Sequence, residues 1–196
     1  MKRLFDLTAS FIGLIILSPI FIIIAVLIKT DSTGEVFFRQ VRVGRGEKPF
    51  RIFKFRTMSV NREKGSLQIT TATDSRITKV GAFLRKYKID ELPQLINVLK
   101  GEMSLVGPRP EVPKYVEHYS SENRNIIFSV RPGITDLASI EYKNENDILA
   151  KESDPEKAYI EKILPEKLKY CREYVEKQSF MYDIKIILKT LKAIIC

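Results

Sequence analysis

The stretch LTASFIGLIILSPIFIIIAVLI, residues 7–28, has no charged side chain, and its reading decides how the rest of the chain is arranged. At about 1.5 Å per residue, a helix of this length just crosses a hydrocarbon core of about 30 Å. It is too long for the core of a cleaved signal, and no small-residue cleavage site follows, so the segment is expected to stay. Ser18-Pro19 falls near its middle. Proline there removes a backbone hydrogen bond and bends the helix, and the Ser18 hydroxyl can satisfy a freed carbonyl. Lys2 and Arg3 precede the run, and Lys29, Arg39, Arg42 and Arg45 follow it, so both ends prefer the cytoplasm. A bent helix that enters and leaves by one face satisfies both flanks, while a straight span puts one of them outside. Charge alone leaves both open.

Working outward, the chain of 196 residues leaves room for one domain with a real core after that segment. A net charge of +9 favours anionic partners: nucleic acid, acidic lipid headgroups or phosphorylated small molecules. Cys171 and Cys196 have no ligand spacing and imply no disulfide framework, which suits a reduced compartment.

Residues 36–43 and 50–58 are rich in β-branched and aromatic side chains around the turn material GRGEKP, residues 44–49, which predicts a hairpin. Phe50, Ile52 and Lys54 are expected on one face and Arg51, Phe53 and Phe55 on the other. Between residues 39 and 64, nine basic side chains, including Arg51, Lys54, Arg56, Arg62 and Lys64, meet only Glu47 and Glu63. Part of that run reads as a solvated face beside anionic lipid. Lys54 to Met58, where charge interleaves with apolar residues, reads as a phosphate contact. Val80, Phe83, Leu84 and Tyr87 carry helical spacing, and Leu92, Leu95, Ile96 and Leu99 repeat it up to Gly101. Asp154-Pro155 opens a further helix that Pro165 should break or kink. In the tail, residues 178–196, Phe180, Ile184, Ile187, Leu188, Leu191, Ile194 and Ile195 share one stripe, with Lys185, Lys189 and Lys192 elsewhere. That helix is amphipathic, able to pack on the domain or to lie in a bilayer interface.

Asp90 and Glu91 stand where the helix through Leu99 should begin, with Asp90 as N-cap and Pro93 in the first turn. Capping explains an acid there. So does chemistry: free N–H groups keep a carboxylate ionised, as a nucleophile requires, and two adjacent acids can hold Mg²⁺ against a diphosphate. Spacing does not separate these readings. The second constellation is Gly107-Pro108-Arg109-Pro110, where the prolines fix the backbone and lower the entropy Arg109 loses on gripping a phosphate. The single histidine, His118, reads as a surface residue rather than a base. A membrane-tethered module binding nucleic acid or anionic lipid without catalysis is the competing class. The chain offers it no recognition fold and no aromatic stacking platform, so nucleic acid is not an expected partner.

Taken in order, Lys2-Arg3 with Asp6, Ser18-Pro19, Phe37 to Gly44, Phe53 to Met58, Asp90 to Leu95, Asn97 to Gly101, Met103 to Pro110 and Arg131 to Thr135 resemble the bacterial sugar transferase family of polyprenyl-phosphate phosphoglycosyl transferases, in its small monotopic members. The resemblance implies an α+β, mostly helical protein: a re-entrant membrane helix over 1–30, and a cytoplasmic catalytic domain over 31–196 holding a small β-hairpin and amphipathic interfacial helices. It implies placement on the cytoplasmic face of the bacterial inner membrane. It also implies transfer of a phosphosugar from a UDP-sugar to undecaprenyl phosphate with release of UMP. Asp90 would be the nucleophile, Glu91 its assistant, and Mg²⁺ would bind near the pair. Lys54, Arg56, Arg109 and Arg131 would hold phosphates, with Ser18, Pro19, Pro108 and Pro110 structural. Where many members continue with a Gly-Trp-Ala-Gln type of segment after Thr135, this chain reads Asp136-Leu-Ala-Ser-Ile-Glu141, a departure that detaches it from family specificity there.

Overall fold

A computed structural model describes residues 1–59, 74–142 and 144–195. Arg62, Lys64 and Cys196 lie outside them.

The apolar run becomes α1 (Lys2–Asp31), helical throughout with Pro19 inside it. Proline leaves the carbonyl of Ile15 without its usual donor, and the Ser18 hydroxyl donates to that oxygen at 2.8 Å. One face of α1 is docked at both ends on the same body. Arg3 donates to the carbonyls of Val98 and Met103, and the Asp6 carboxylate accepts from Ser104 Oγ at 2.8 Å. At the other end Ile24 and Ile28 are buried with Phe55 and Leu84, and Asp31 accepts from the Val80 amide. The opposite face, including Ile15, Ile16, Ile20, Ile22 and Ile23, is exposed, as are Ser18 and Pro19.

The hairpin forms as expected: β1 (Phe37–Val43) pairs antiparallel with β2 (Pro49–Phe55), Phe37 opposite Phe55 and Val43 opposite Pro49. Phe50 and Ile52 turn inward together, but Phe55, expected on the opposite face, is also buried because it packs on α1. Next come α2 (Lys79–Lys86), capped by Thr78, and α3 (Gln94–Leu99), closed by Gly101 at φ +84°. On α2, Val80 and Leu84 pack on α1, while Phe83 and Tyr87 stay exposed.

The stretches before Gly107-Pro108-Arg109-Pro110 and after Arg131-Pro132 pair with each other. β3 (Ser104–Val106) runs parallel to β4 (Gly133–Thr135), with α4 (Pro113–Val116) and α5 (Ser121–Ile127) between them in the chain. Gly107 and Gly133 permit it: a Cβ on Gly133 would lie 2.1 Å from the Gly107 nitrogen, and one on Gly107 would lie 2.4 Å from the Arg131 carbonyl. The rest is helical: α6 (Leu137–Glu141), α7 (Glu145–Leu149), α8 (Pro155–Ala158), α9 (Leu164–Lys177) and α10 (Phe180–Ile195). Asp154 caps α8 as expected. Pro165 does not break the helix. The chain passes from α8 to α9 through a wider turn over Tyr159–Ile163, which accommodates the missing donor. The largest core lies among α4, α5 and α7 to α9, built on Tyr115, Leu149, Tyr159, Leu164 and Leu168.

Candidate functional site

Asp90 and Glu91 are not the cap of α3. They sit in a single 3-10 turn, Ile89–Glu91, between α2 and α3, and no side chain caps α3. The turn is entered through Lys88 at φ +56°, a left-handed conformation that a side chain adopts at a cost, and the Glu91 carboxylate meets β2 at Lys54. Each acid is only 8 % exposed.

The surrounding cations arrive from two elements. Asn97, fully buried on α3, accepts from the Phe53 amide at 2.8 Å and donates to the Arg51 carbonyl at 2.9 Å, which pins β2 against α3. The next residue, Lys54, then donates to Glu91 Oε1 at 2.7 Å. Arg109 comes from the loop after β3 and grips the same carboxylate twice, at 2.6 Å on Oε1 and 3.2 Å on Oε2. That loop is itself held. The Arg109 amide donates to the buried Asp136 carboxylate at 3.2 Å, Asp136 also caps α6, and Arg42 donates to the Pro110 carbonyl at 3.0 Å.

The two acids therefore differ. Burial pushes Glu91 up, but the charges and hydrogen bonds of Arg109 and Lys54 bring it well below the usual carboxylate range. For Asp90 burial prevails: Lys54, Arg85 and Lys88 oppose it, the negative Glu91 adds to it, and the carboxyl is raised. Among the described residues no hydrogen-bond donor reaches the Asp90 carboxylate. Glu91's charge is the first cause that raises the Arg109 guanidinium above its ordinary value, whereas burial lowers Lys54.

The arrangement brings together Asp90, Glu91, Lys54 and Arg109, with Pro108 and Pro110 shaping the loop. It does not bring in Arg56 or Arg131. The Arg56 guanidinium is buried and spends its terminal nitrogens on the carbonyls of Ile28, Ser32 and Thr33, closing the end of α1. Arg131 donates to the Gly101 carbonyl beyond the far end of α3. Of the basic run, then, Arg42, Lys54 and Arg56 face the protein rather than a solvated surface. His118 is exposed, as expected. Arg85 was missed: it donates to Thr57 Oγ1 at 2.8 Å, and its charge and Asp90's act on each other. Its place five residues before Asp90, at the end of a short helix, was the available signal.

No group of three or more His, Cys, Asp or Glu side chains gathers as a metal site among the described residues. Mg²⁺ needs no such cage, since one or two carboxylates with substrate phosphates suffice. The unbonded Asp90 carboxylate fits that requirement, while both Glu91 oxygens are already engaged by cations.

The model of the bacterial sugar transferase family matches residues 1–196. A UDP-glucose:undecaprenyl-phosphate glucose-1-phosphate transferase of Klebsiella pneumoniae is 41% identical over 193 residues, which are 97% of this chain and 39% of the relative. A UDP-N-acetylgalactosamine-undecaprenyl-phosphate N-acetylgalactosaminephosphotransferase of Aeromonas hydrophila is 39% identical over 196 residues, 99% of this chain and 43% of the relative. An uncharacterized sugar transferase of Bacillus subtilis, EpsL, is 39% identical over 196 residues, 100% of this chain and 87% of the relative. The chain thus spans about two-fifths of the length of the first two.

Proposed function

Because the chain belongs to the bacterial sugar transferase family, we propose that it is a polyprenyl-phosphate phosphoglycosyl transferase, moving a phosphosugar from a UDP-sugar to undecaprenyl phosphate with release of UMP. This would be the first membrane step of glycoconjugate assembly. The observation that carries the reading is the buried Asp90 carboxylate, without a donor among the described residues, beside a Glu91 locked by Lys54 and Arg109.

Asp90 attacks the β-phosphorus of the donor. The new Oδ–P bond forms as the bond from that phosphorus to the bridging oxygen breaks, and UMP carries the bridging oxygen away. An oxygen of the lipid phosphate then attacks the same phosphorus and releases Asp90. A covalent intermediate lets a water-soluble donor and a lipid acceptor use one site in turn, so ping-pong kinetics follow. Lys54 and Arg109 lie where they stabilise the phosphate charge, Arg109 through a planar fork suited to bidentate contact. Glu91 holds those two cations in place, and on release from them it can orient the lipid phosphate. Asp90 together with the donor's phosphate oxygens would hold Mg²⁺, with Glu91 joining once its cations turn to substrate. The ion would screen the repulsion between carboxylate and diphosphate.

The same reading makes the protein monotopic on the cytoplasmic face of the bacterial inner membrane, with residues 1–30 re-entrant and 31–196 catalytic. Its support is that Arg3 and Asp6 at one end of α1, and Ile28 and Asp31 at the other, are tied to a single body, while the turn carrying Ser18 and Pro19 is exposed. An N-terminal cysteine tag and Glu35→Cys should label from the same side, and labelling from opposite sides would mean a straight span.

The decisive assay incubates solubilised protein with Mg²⁺, undecaprenyl phosphate and a panel of UDP-sugars and measures UMP. Donor alone should leave a phosphosugar mass on Asp90. An active preparation that never carries that mass would overturn the covalent route, and the absence of UMP with every donor would overturn the activity.

A further inference from the structure

We propose that α10 and the cleft beside it bind the phosphate headgroup of an anionic phospholipid, at a site separate from the Asp90 turn. At 100° per residue α10 presents three faces. Asp183 and Ile186 point into the body and are buried, and the Thr190 hydroxyl lies 2.6 Å from that of Thr135. On the far side Met181, Leu188 and Leu191 are exposed and form, with Ile184, an apolar row. Along one flank of that row run Lys185, Lys189 and Lys192, about one per turn. A helix packed only on a protein body needs an inner and a polar outer face. An additional apolar row bordered by lysines suits an acyl–headgroup boundary. The row continues onto α1, where Phe5 meets Phe180 edge-on at 5.3 Å and Leu4 and Met181, their chain neighbours, are exposed.

The lysine flank opens onto a cleft of about 340 Å³ between α6, α9 and α10. Its carboxylates are Glu141 and Glu173, against Lys177, Lys185 and Lys189. Glu173 is already matched, by Lys177 at 2.9 Å and the Tyr182 hydroxyl at 3.3 Å, and Glu141 is exposed on α6. Among the described residues, Lys185 and Lys189 pair with no carboxylate. Two unpaired ammonium groups one turn apart, with Tyr170 lining the same cleft, make a place for a singly charged phosphodiester. The adjoining apolar row receives the acyl chains. A free phosphate ion would use the lysines and leave that row without a partner, so charge and apolar surface together select a lipid.

The test is native mass spectrometry of the detergent-solubilised full chain with phosphatidylglycerol, phosphatidylcholine or inorganic phosphate added. Phosphatidylglycerol should be retained at several-fold higher occupancy than phosphatidylcholine, and inorganic phosphate should not displace it. K185Q/K189Q should lose the preference and K185R/K189R should keep it. K157Q/K162Q, which removes the same charge elsewhere, should behave like the parent. Equal retention of the two lipids, undiminished phosphatidylglycerol on K185Q/K189Q, or displacement by inorganic phosphate would overturn the proposal. Should K185Q/K189Q fail to fold, a photoactivatable phosphatidylglycerol on the parent decides instead. Crosslinks on α9 and α10 support the site, and crosslinks confined to α1 overturn it.

Discussion

Asp90 and Glu91 are neighbours in the chain and equally buried, yet Lys54 and Arg109 place three hydrogen bonds on Glu91 and, among the described residues, none falls on Asp90. One acid is neutralised by the protein. The other is desolvated and left without a donor, which is the division that the proposed attack by Asp90 requires.

Asp90→Asn should therefore abolish turnover and stabilise the fold. Burial raises the Asp90 carboxyl, so between the unfolded value of about 3.9 and the higher folded one the native state holds the proton more tightly. Stability falls as pH rises through that window, and at neutral pH the ionised group is a cost that asparagine removes. A loss of at least about 1000-fold in UMP release is expected. Thermal unfolding without metal should show a gain of about 0.5–2 kcal/mol at neutral pH that vanishes in acid. A variant less stable than the parent at neutral pH contradicts this account of the site.

The pH profile separates the two acids. As pH falls, Asp90 protonates first because its carboxyl is raised, while Glu91, held well below the usual range, stays ionised. The kcat/KM for donor, which reports the free enzyme before donor and Mg²⁺ join Asp90, should show an acid limb of one proton placed above the ordinary aspartate range. Glu91's negative charge is one cause of that elevation. In the residual turnover of Glu91→Gln, the limb should move to lower pH. A limb that stays put or rises would remove Asp90 as the titrating group.

How much of this the sequence could disclose depended on range. The hairpin, the helical character of α1, the Gly101 terminus and the Asp154 cap are written in neighbouring residues, and those expectations held. Asp90 as a helix cap did not hold, because Lys88 in a left-handed conformation detaches the turn from α3, and local spacing does not reveal that. Arg56 resembled a phosphate ligand by its place beside Lys54. Strict alternation would keep the two on one face, but β2 ends at Phe55, and past that end Arg56 turns to carbonyls at the end of α1. The parallel pairing of β3 with β4 joins segments about 30 residues apart and is too short to leave a periodic trace. Charge leaves span and re-entry open, and the tie of Asp6 to Ser104, far apart in the chain, has no local signal.

Gly133→Ala should damage the site from a distance. Its Cβ would lie 2.1 Å from the Gly107 nitrogen and 2.4 Å from the Gly107 oxygen, and backbone atoms cannot swing aside as side chains can. Separating the two strands is expected to cost about 1–3 kcal/mol or more. It should also displace Arg109, two residues beyond Gly107, from Glu91. Melting temperature should fall and the KM for donor should rise, measured in the same detergent. A variant with the parent's melting temperature and KM would show that the close approach is not needed.

A buried polar node should couple α1 to the Arg109 loop. Lys2 Nζ lies 2.6 Å from Asp183 and 3.1 Å from the Val106 carbonyl, and the fully buried Tyr174 donates its hydroxyl to Asp183 at 2.8 Å. The first turn of α1, α9, α10 and the residue that leads into Gly107 thus share one set of hydrogen bonds. Lys2→Met strands the Asp183 carboxylate and Asp183→Asn strands the ammonium, so each single variant should lose stability, by about 1–3 kcal/mol. The double variant K2M/D183N removes both charges and should lose less than the sum, by about 0.5–3 kcal/mol. Turnover should follow the same order, since the Val106 carbonyl that Lys2 holds stands three residues before Arg109. Strict additivity in chemical unfolding would mean that the two side chains act independently and that the start of α1 does not help to place the arginine.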